Sequence, residues 1–434
     1  MPIDAGNTAW LLVSTGLVLV MIPGLALFYG GLVRTKNVIS TFMHTFVALG
    51  VITLQWVFCG YSLAFGPDLG GVIGAPTHVL LSGVGLDARV GTSVPHLLFM
   101  IYQMMFAAIT PALVSGAFAE RISFRAYLLF ILLWSTLVYD PVAHWMWAPG
   151  GWLAERGALD FAGGIVVHVT SGVSALVFAL VLGKRIGYPR EKSVPHNLTM
   201  TLLGAGLLWF GWFGFNGGSA LAADGVAVLA LVNSQLAAAA GAVTWMAIDI
   251  KRWRKGGSLG FASGFIAALA TITPAAGYVG PSSALVIGFA AAMVCYGAVL
   301  LKERLGYDDS LDAFGIHGVG GVAGSLLLGV FAQKVWNSSG RDGLLAGRIG
   351  FLGSQFSAVI VTVGYSVVVT WGLLKLIDAT VGLRVRGDVE REGLDVNLHG
   401  EAGYAIGPSS LGHSVDNSVE PKREGIAAYG LSEN

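Results

Sequence analysis

Charged side chains are scarce in this sequence. Only 12% of the 434 residues are Asp, Glu, Lys or Arg, whereas an ordinary soluble domain has roughly 25%, and the mean hydropathy is +0.72. This composition excludes a soluble globular protein. The formal net charge is zero, so the chain has no basic excess that would attract a polyanion, and we expect no nucleic-acid partner.

Cysteines and metal-binding patterns are nearly absent as well. The two cysteines, Cys59 and Cys295, lie inside apolar runs and show no spacing typical of a metal or redox site. The histidines do not form an H-E-x-x-H pattern. We therefore expect no metal and no cofactor, and we expect that the protein is not an enzyme.

Basic residues are missing from the beginning of the chain. The first Lys or Arg is Arg34, so the positively charged region of a secretory signal peptide is lacking. We interpret the first apolar stretch as a true membrane helix, with Asp4 on the outer side.

Long uncharged runs dominate what is present. A run of 18 or more apolar residues predicts a transmembrane helix, because about 20 residues at a rise of 1.5 Å cross the hydrocarbon core. Glycine contributes 62 residues, about twice its usual share of roughly 7%, and small residues let membrane helices approach closely. We predict an all-α polytopic membrane protein with eleven transmembrane helices, at about 8–32, 41–65, 97–118, 126–147, 161–183, 199–222, 226–248, 257–276, 281–301, 313–332 and 350–374.

The loop charges predict an orientation. With eleven spans, one set of alternate loops carries fourteen Lys and Arg residues, and the other carries five, which are Arg89, Arg156, Lys334, Arg341 and Arg348. Because basic loops stay in the cytoplasm, the N-terminus is expected outside and the C-terminus inside the cell membrane. The polar segment 376–434 is then a cytoplasmic tail, and its distal part is expected to be disordered.

Two segments of the chain are similar to each other in sequence. "DFAGGIVVHVTSGVSALV" in the fifth span is similar to "DAFGIHGVGGVAGSLLL" in the tenth, and each places an Asp before a His and a Gly four residues after it. A shift of five spans reverses the direction through the membrane. We therefore predict a transmembrane domain over 1–375 with two five-helix inverted repeats, about 8–183 and 199–332, followed by the eleventh helix. Such repeats place a substrate path near the midplane.

His168 and His317 occupy matching positions in the two predicted repeats. An ionisable residue inside the membrane is costly and indicates function, although a single histidine could equally be a helix-packing residue. Pseudo-symmetry would bring the two imidazoles to one central site, where they could bond to each other and to a small polar guest. Asp160 precedes the fifth span, where an N-cap is the first expectation and support of a nearby cation site the second.

Aromatic residues cluster near the predicted outer ends of the spans, in "DPVAHWMWAPGGW" and "LLWFGWFGFNGGS". An interfacial aromatic belt is the more general explanation. A cation site is the alternative, because aromatic faces attract a small cation by about 0.5–2 kcal/mol.

Several longer motifs carry a specific resemblance. "GALDFAGGIVVHVTSG", "FGWFGFNGGS", "IPGLALFYGGLVR", "SGAFAERISF", "DAFGIHGVGGVAGSLLLGVF" and "EREGLDVNLHGEAGY" together resemble the ammonium transporter family (Amt/Mep/Rh), and its Amt branch most closely. The resemblance runs from about residue 5 to 405. It implies homotrimers with one pore in each subunit, and docking of a P-II regulatory protein at the cytoplasmic face.

The resemblance also implies roles for individual residues. His168 and His317 match the family's twin histidines, and Phe106 and Phe215 match the stacked pair that closes the pore. The ammonium recruitment site is implied at Trp147, Ser219, Tyr102 and Phe106, with Tyr102 standing where many relatives have Phe; "WMWAPGGWL" leaves Trp145 as an alternative to Trp147. Supporting roles are implied for Asp160, Trp212 and Thr273.

The function implied is transport of ammonium across the cell membrane. The ion would be held at an outer aromatic site, lose its proton, and pass as ammonia along the histidine pair. The sequence leaves open whether the proton follows separately. The alternative is an ammonium sensor of the same fold that signals through a cytoplasmic partner, although a tail of about 60 residues is too short for a fused kinase or cyclase domain.

Overall fold

Helices account for nearly all regular structure in the computed structural model, which describes residues 2–191 and 194–404. The expected disorder of the distal tail concerns residues outside the described part. In chain order the main helices are α1 Ala5–Leu32, α2 Thr35–Phe65, α3 His96–Phe118, α4 Phe124–Glu155, α5 Gly164–Leu182, α6 Leu198–Ala220, α7 Gly225–Trp253, α8 Ser258–Ile272, α9 Pro281–Leu305, α10 Phe314–Phe331, α11 Ile349–Val381 and α12 Gly387–Glu392. Two short antiparallel strands, β1 Asp68–Leu69 and β2 Ile73–Gly74, are added in the loop after α2, so the all-α expectation holds for the bundle and not for this loop.

Ten of the helices in the described ranges are long and apolar enough to cross a membrane. α8 is apolar but has 15 residues, and at 1.5 Å per residue it measures roughly 22 Å, which is less than the hydrocarbon thickness of about 30 Å. The protein is thus a helical, multi-pass membrane protein.

Several helices extend past the predicted limits. α7 continues to Trp253, and α11 continues to Val381, where the sequence predicted ends near 248 and 374. Apolarity ends at the charged residues Asp249 and Lys375, but these residue types are compatible with a helix, so helicity continues into the polar region. Arg254, the residue after α7, has a φ of +62° and caps the helix.

Glycines allow the first helices of the two predicted repeats to touch. A Cβ on Gly204 of α6 would lie 2.3 Å from the backbone nitrogen of Phe28 and 2.5 Å from the carbonyl oxygen of Gly24, both on α1. A larger residue would therefore force the two helices apart.

A buried carboxylate organises the predicted cytoplasmic side. Glu120, which is 1% exposed, accepts hydrogen bonds from Arg34, Asn37 and Arg185. Arg185 also forms an ion pair with Asp308 at 2.9 Å. The network joins the loops after α1, α3, α5 and α9, which belong to both predicted repeats.

The chain after α11 packs against the same loops. Glu390 of α12 accepts from the backbone of Ile186 at 2.7 Å. Asp395 accepts from the backbone nitrogens of Ile39 and Ser40 at the start of α2. The segment Gly382–Tyr404 is therefore held by the bundle through buried acceptors.

Candidate functional site

The two membrane histidines meet at the centre of the bundle. Nδ1 of His168 lies 3.2 Å from Nδ1 of His317, and the ring planes are inclined by 12°. Both side chains are almost completely buried, at 1% and 4% exposure. α5 and α10 bring together residues that are 149 positions apart in the chain.

The contact between the two Nδ1 atoms restricts the tautomers. One Nδ1 must carry a proton and donate it in a hydrogen bond, and the other Nδ1 must accept that hydrogen bond. In a neutral pair, the donating ring then has a free acceptor at Nε2 and the accepting ring has an N–H at Nε2. Nε2 of His168 has no hydrogen-bond partner within the described residues. The pair can thus present one donor and one acceptor to a small polar molecule.

The repeated glycines explain why the histidines can approach each other. A Cβ on Gly172 would lie 1.9 Å from the backbone nitrogen of Gly318, next to His317. A Cβ on Gly321 would lie 2.9 Å from Cβ of His168. Each glycine, four residues after one histidine, therefore packs against the segment of the other histidine.

Asp160 is the N-terminal cap of the α5 segment. Its Oδ1 accepts from the backbone nitrogens of Gly163 and Gly164 at 2.9 and 2.6 Å, and its Oδ2 accepts from those of Ile165 and Val166 at 2.7 and 2.9 Å. These are orphan donors of a helix start, and the carboxylate satisfies all four of them. The side chain supports the site structurally, in agreement with the first expectation from the sequence.

The backbone of Asp160 also orients the nearby tryptophan. The indole nitrogen of Trp147 donates to the carbonyl oxygen of Asp160 at 2.9 Å. Trp145 is directed elsewhere: its indole nitrogen donates to Val72, and its ring packs against Trp152 and Tyr365.

The counterpart of Asp160 in the second half is a residue that the sequence comparison missed. Asp309 lies eight positions before His317, as Asp160 lies eight before His168, and it accepts from the backbone nitrogens of Ala313 and Phe314 at 3.1 and 2.8 Å. The motif alignment had matched Asp312 instead. Asp312 forms an ion pair with Lys302, and the backbone bonds of Asp309, which the motif does not reveal, identify the capping residue.

A cavity of about 130 Å³ opens on the predicted outer side. Trp147, Phe106 and Ser219 line it together with Phe161, Gln103 and Arg89. The hydroxyl of Ser219 donates to the carbonyl oxygen of Phe215 at 2.8 Å, which fixes its position at the end of α6. Aromatic faces and a hydroxyl thus converge at residues for which the family resemblance implies a recruitment site.

Two stacked rings close the bottom of this cavity. The centroids of Phe106 and Phe215 are 4.2 Å apart. Below them lies a narrow apolar cavity of about 10 Å³, which is lined by Phe215, Trp212 and both histidines. This volume is close to the smallest that can hold one water molecule.

A third cavity, of about 230 Å³, continues towards the predicted cytoplasmic side. It shares His317 and Tyr29 with the narrow cavity and also contacts Asp312. The three cavities are therefore neighbours in succession through the bundle: Phe106 of the outer cavity contacts Phe215 of the narrow one, and His317 lines both the narrow and the third cavity. Tyr29, whose hydroxyl donates to the carbonyl oxygen of Leu113 at 3.1 Å, lines two of these cavities, although the sequence analysis assigned no role to it.

Trp212 and Thr273 lie behind the histidines. The indole nitrogen of Trp212 donates to the Thr273 hydroxyl at 2.9 Å, and the Trp212 ring stacks on His168 with an interplanar angle of 23°. Thr273 thus fixes the position of Trp212, and the Trp212 ring in turn packs against the imidazole of His168.

Tyr102 does not line the outer cavity, contrary to the recruitment role expected for it. The side chain is fully buried, and its hydroxyl contacts the carbonyl oxygens of Gly214 and Phe215 and, at 3.3 Å, the hydroxyl of Ser219. One turn of helix separates it from Phe106, which faces the cavity. Tyr102 therefore contacts Ser219 from the side that faces away from the outer cavity.

The chain is similar to known proteins over most of its length. The model of the Ammonium Transporter Family matches residues 9–404. An ammonium transporter of Bacillus subtilis is 48% identical over 401 residues, covering 92% of this chain and 98% of the relative. Ammonium transporter Amt1 of Archaeoglobus fulgidus is 50% identical over 402 residues, covering 92% of this chain and 99% of the relative.

Solved structures show the same architecture. The crystal structure of Saccharomyces cerevisiae Mep2 aligns with a TM-score of 0.84 at 40% identity and covers 89% of each chain. A structure titled Sensor Amt Protein also aligns with a TM-score of 0.84, at 29% identity, and covers 91% of this chain and 98% of the other.

Proposed function

The chain belongs to the ammonium transporter family, and from this membership we propose that it moves ammonium across the cell membrane through the line of cavities between α5 and α10. The observation that carries the proposal is the order of groups along this line. An aromatic mouth with a hydroxyl comes first, then a pair of stacked rings, then a histidine pair in a narrow apolar space.

Recruitment takes place at the outer cavity. The faces of Trp147 and Phe106 attract a small cation, and the Ser219 oxygen accepts one of its N–H groups. The bond from Trp147 to the Asp160 backbone supports this role because it holds the indole in one orientation. Asp160 acts through that bond and through the helix start.

The ion gives up its proton before it enters the narrow cavity. An unpaired charge is very costly in an apolar space, and desolvation favours the neutral amine. Ammonium transfers its proton to water in the outer cavity, and ammonia passes Phe106 and Phe215. The donor and acceptor that the histidine pair presents then replace the hydrogen bonds that ammonia leaves behind in water.

The topology completes the proposal. We take α8 as an eleventh span, which is supported by its apolar sequence and by its position between α7 and α9. The inverted repeats are supported by the reciprocal contacts of Gly172 and Gly321. The excess of basic loop residues supports an outer N-terminus and a cytoplasmic C-terminus in the cell membrane.

A homotrimer and a P-II partner belong to the same proposal. Family membership supports both. The packing of Gly382–Tyr404 onto the loops of both repeats also supports a partner at this face, because a protein bound there would contact the tail and the bundle together.

Transport is tested with purified protein in liposomes. Ammonium-dependent current and uptake are measured for wild type, Trp147→Leu and Trp371→Leu. Trp371 is a matched control because it lies on α11 and is exposed on the outside of the bundle. Loss of a cation–π contact of about 0.5–2 kcal/mol predicts a KM about 2- to 30-fold higher for Trp147→Leu alone. Equal KM values for the three proteins would contradict the recruitment site.

The sensor remains the second candidate, because the Sensor Amt Protein shares this architecture. The same liposomes distinguish the two functions. Ammonium binding without current or uptake would favour a sensor, whereas current or uptake above that of empty liposomes favours the transporter.

A further inference from the structure

Arg89 brings a positive charge to the outer cavity. The side chain lines this cavity together with Trp147, Phe106 and Ser219. Its guanidinium carbon lies 3.9 Å from the ring centroid of Phe99 and 5.6 Å from that of Phe65. A fixed cation at the place proposed to attract a cation requires an explanation.

The loop that carries Arg89 is anchored on both sides. The backbone nitrogen of Arg89 donates to Val94 at 3.0 Å, and Ala88 pairs with Pro95 in an isolated antiparallel bridge. Together with the stacking on Phe99, these bonds keep the guanidinium at the cavity wall.

The charge of Arg89 has no ion-pair partner in the part of the chain that the structure describes. Within the described residues, none of the ion pairs includes it. Three acidic groups on the predicted outer side are engaged elsewhere: Asp160 and Asp224 accept from backbone nitrogens, and Asp68 contacts His144. Aromatic rings stabilise the guanidinium here, and they do so without neutralising it.

We propose that Arg89 sets the ammonium affinity of the outer site, as a specificity-determining charge that opposes cation occupancy. This inference rests on the proposed function, because it assigns Arg89 to the proposed recruitment site. A like charge near a bound ion weakens its binding and favours its neutral form. Ammonium can escape the repulsion by giving its proton to water, whereas potassium cannot. Arg89 therefore keeps the site weakly occupied and favours the one cation that can become neutral.

The test compares Arg89→Gln, Arg89→Lys and Arg348→Gln with wild type. Arg348 is a matched control because it is an exposed arginine on the same predicted side and does not line the outer cavity. Both the apparent KM for ammonium transport in liposomes and the Kd for ammonium by calorimetry in detergent are measured. Arg89→Gln is expected to lower both about 3- to 10-fold, while Arg89→Lys and Arg348→Gln stay close to wild type.

Ionic strength separates a charge effect from a structural effect. The Debye length falls from about 30 Å at 0.01 M to about 10 Å at 0.1 M salt. Adding N-methylglucamine chloride should therefore reduce the difference in the Kd for ammonium between Arg89→Gln and wild type. The inference is overturned if Arg89→Gln leaves the Kd unchanged, or if Arg89→Lys changes it as much as Arg89→Gln does. Absence of transport in wild type would overturn the proposed function, and the Kd values would still decide the role of Arg89.

Discussion

At the scale of single residues, the site depends on polar groups that find hydrogen-bond partners inside an apolar bundle. Asp160 accepts four backbone N–H groups, Thr273 holds Trp212, and the histidines bond to each other. A buried polar group without a partner costs about 1–3 kcal/mol. Each supporting residue therefore fixes the position of a group that faces the cavity.

Asp160→Ala tests this dependence. The change leaves four buried backbone nitrogens without their acceptor, and even with partial rearrangement we expect a loss of about 3 kcal/mol or more in unfolding free energy. Transport should fall as well, because the carbonyl oxygen of residue 160, which accepts from Trp147, is no longer held in place by the side-chain cap. Thermal unfolding in detergent and uptake in liposomes measure the two effects. Asp87→Ala removes an exposed carboxylate on the same predicted side and serves as the control; equal stability of the two variants would contradict the capping role.

At the scale of elements, the crossing of α5 and α10 positions the histidines. The two helices touch through glycines, since Gly172 meets the backbone of Gly318 and Gly321 meets His168. The order of histidine and glycine in each helix is the same, so the two contacts are reciprocal. The distance between the imidazoles thus depends on two residues that have no side chain.

Gly172→Ala should separate the helices. The added Cβ would lie 1.9 Å from the nitrogen and 2.2 Å from Cα of Gly318, and such overpacking costs about 1–3 kcal/mol. We expect a lower melting temperature and a transport rate reduced at least about tenfold. Gly364→Ala on α11, where a Cβ meets nothing within 4 Å, should leave both unchanged. Wild-type rates in Gly172→Ala would show that the glycine contact does not position the histidines.

The sequence predicted the existence of the long helices well and the positions of their ends poorly, for a physical reason. Apolar runs identify segments that cross hydrocarbon, so the existence of each long span could be predicted. The runs do not locate helix ends in polar surroundings, and α7 and α11 therefore extend further than expected. α8 is shorter than its apolar stretch because the chain turns at Thr273–Val279.

Among the residues around the cavities, His168 and His317 could be predicted because they lie in segments that repeat within the chain. Trp147 could be predicted because its motif resembles one of the family. Motifs could not reveal Arg89, which lies in a loop and reaches the cavity only through the fold. They aligned Asp312 with Asp160 because the short repeated motif begins at Asp312, three residues after Asp309. The resemblance implied a recruitment role for both Tyr102 and Phe106, and of these two residues Phe106 lines the outer cavity.

At the scale of the whole molecule, the path is enclosed by both halves of the chain and stabilised at one end by the Glu120 network. The loops that meet there also hold Gly382–Tyr404. The narrow central cavity is lined by α1, α3, α5, α6, α8 and α10, so no single helix pair forms it. The central claim is that ammonia passes this cavity along the histidine pair.

The most direct test replaces both histidines and measures current and uptake together on an inward ammonium step across a liposome membrane. We predict that wild type carries ammonium and that His168→Ala/His317→Ala loses transport or changes its selectivity between ammonium and potassium. Melting temperatures of the two proteins show whether the variant is folded. A folded double variant with wild-type rate and selectivity would contradict the account, because the path would then not depend on the histidine pair.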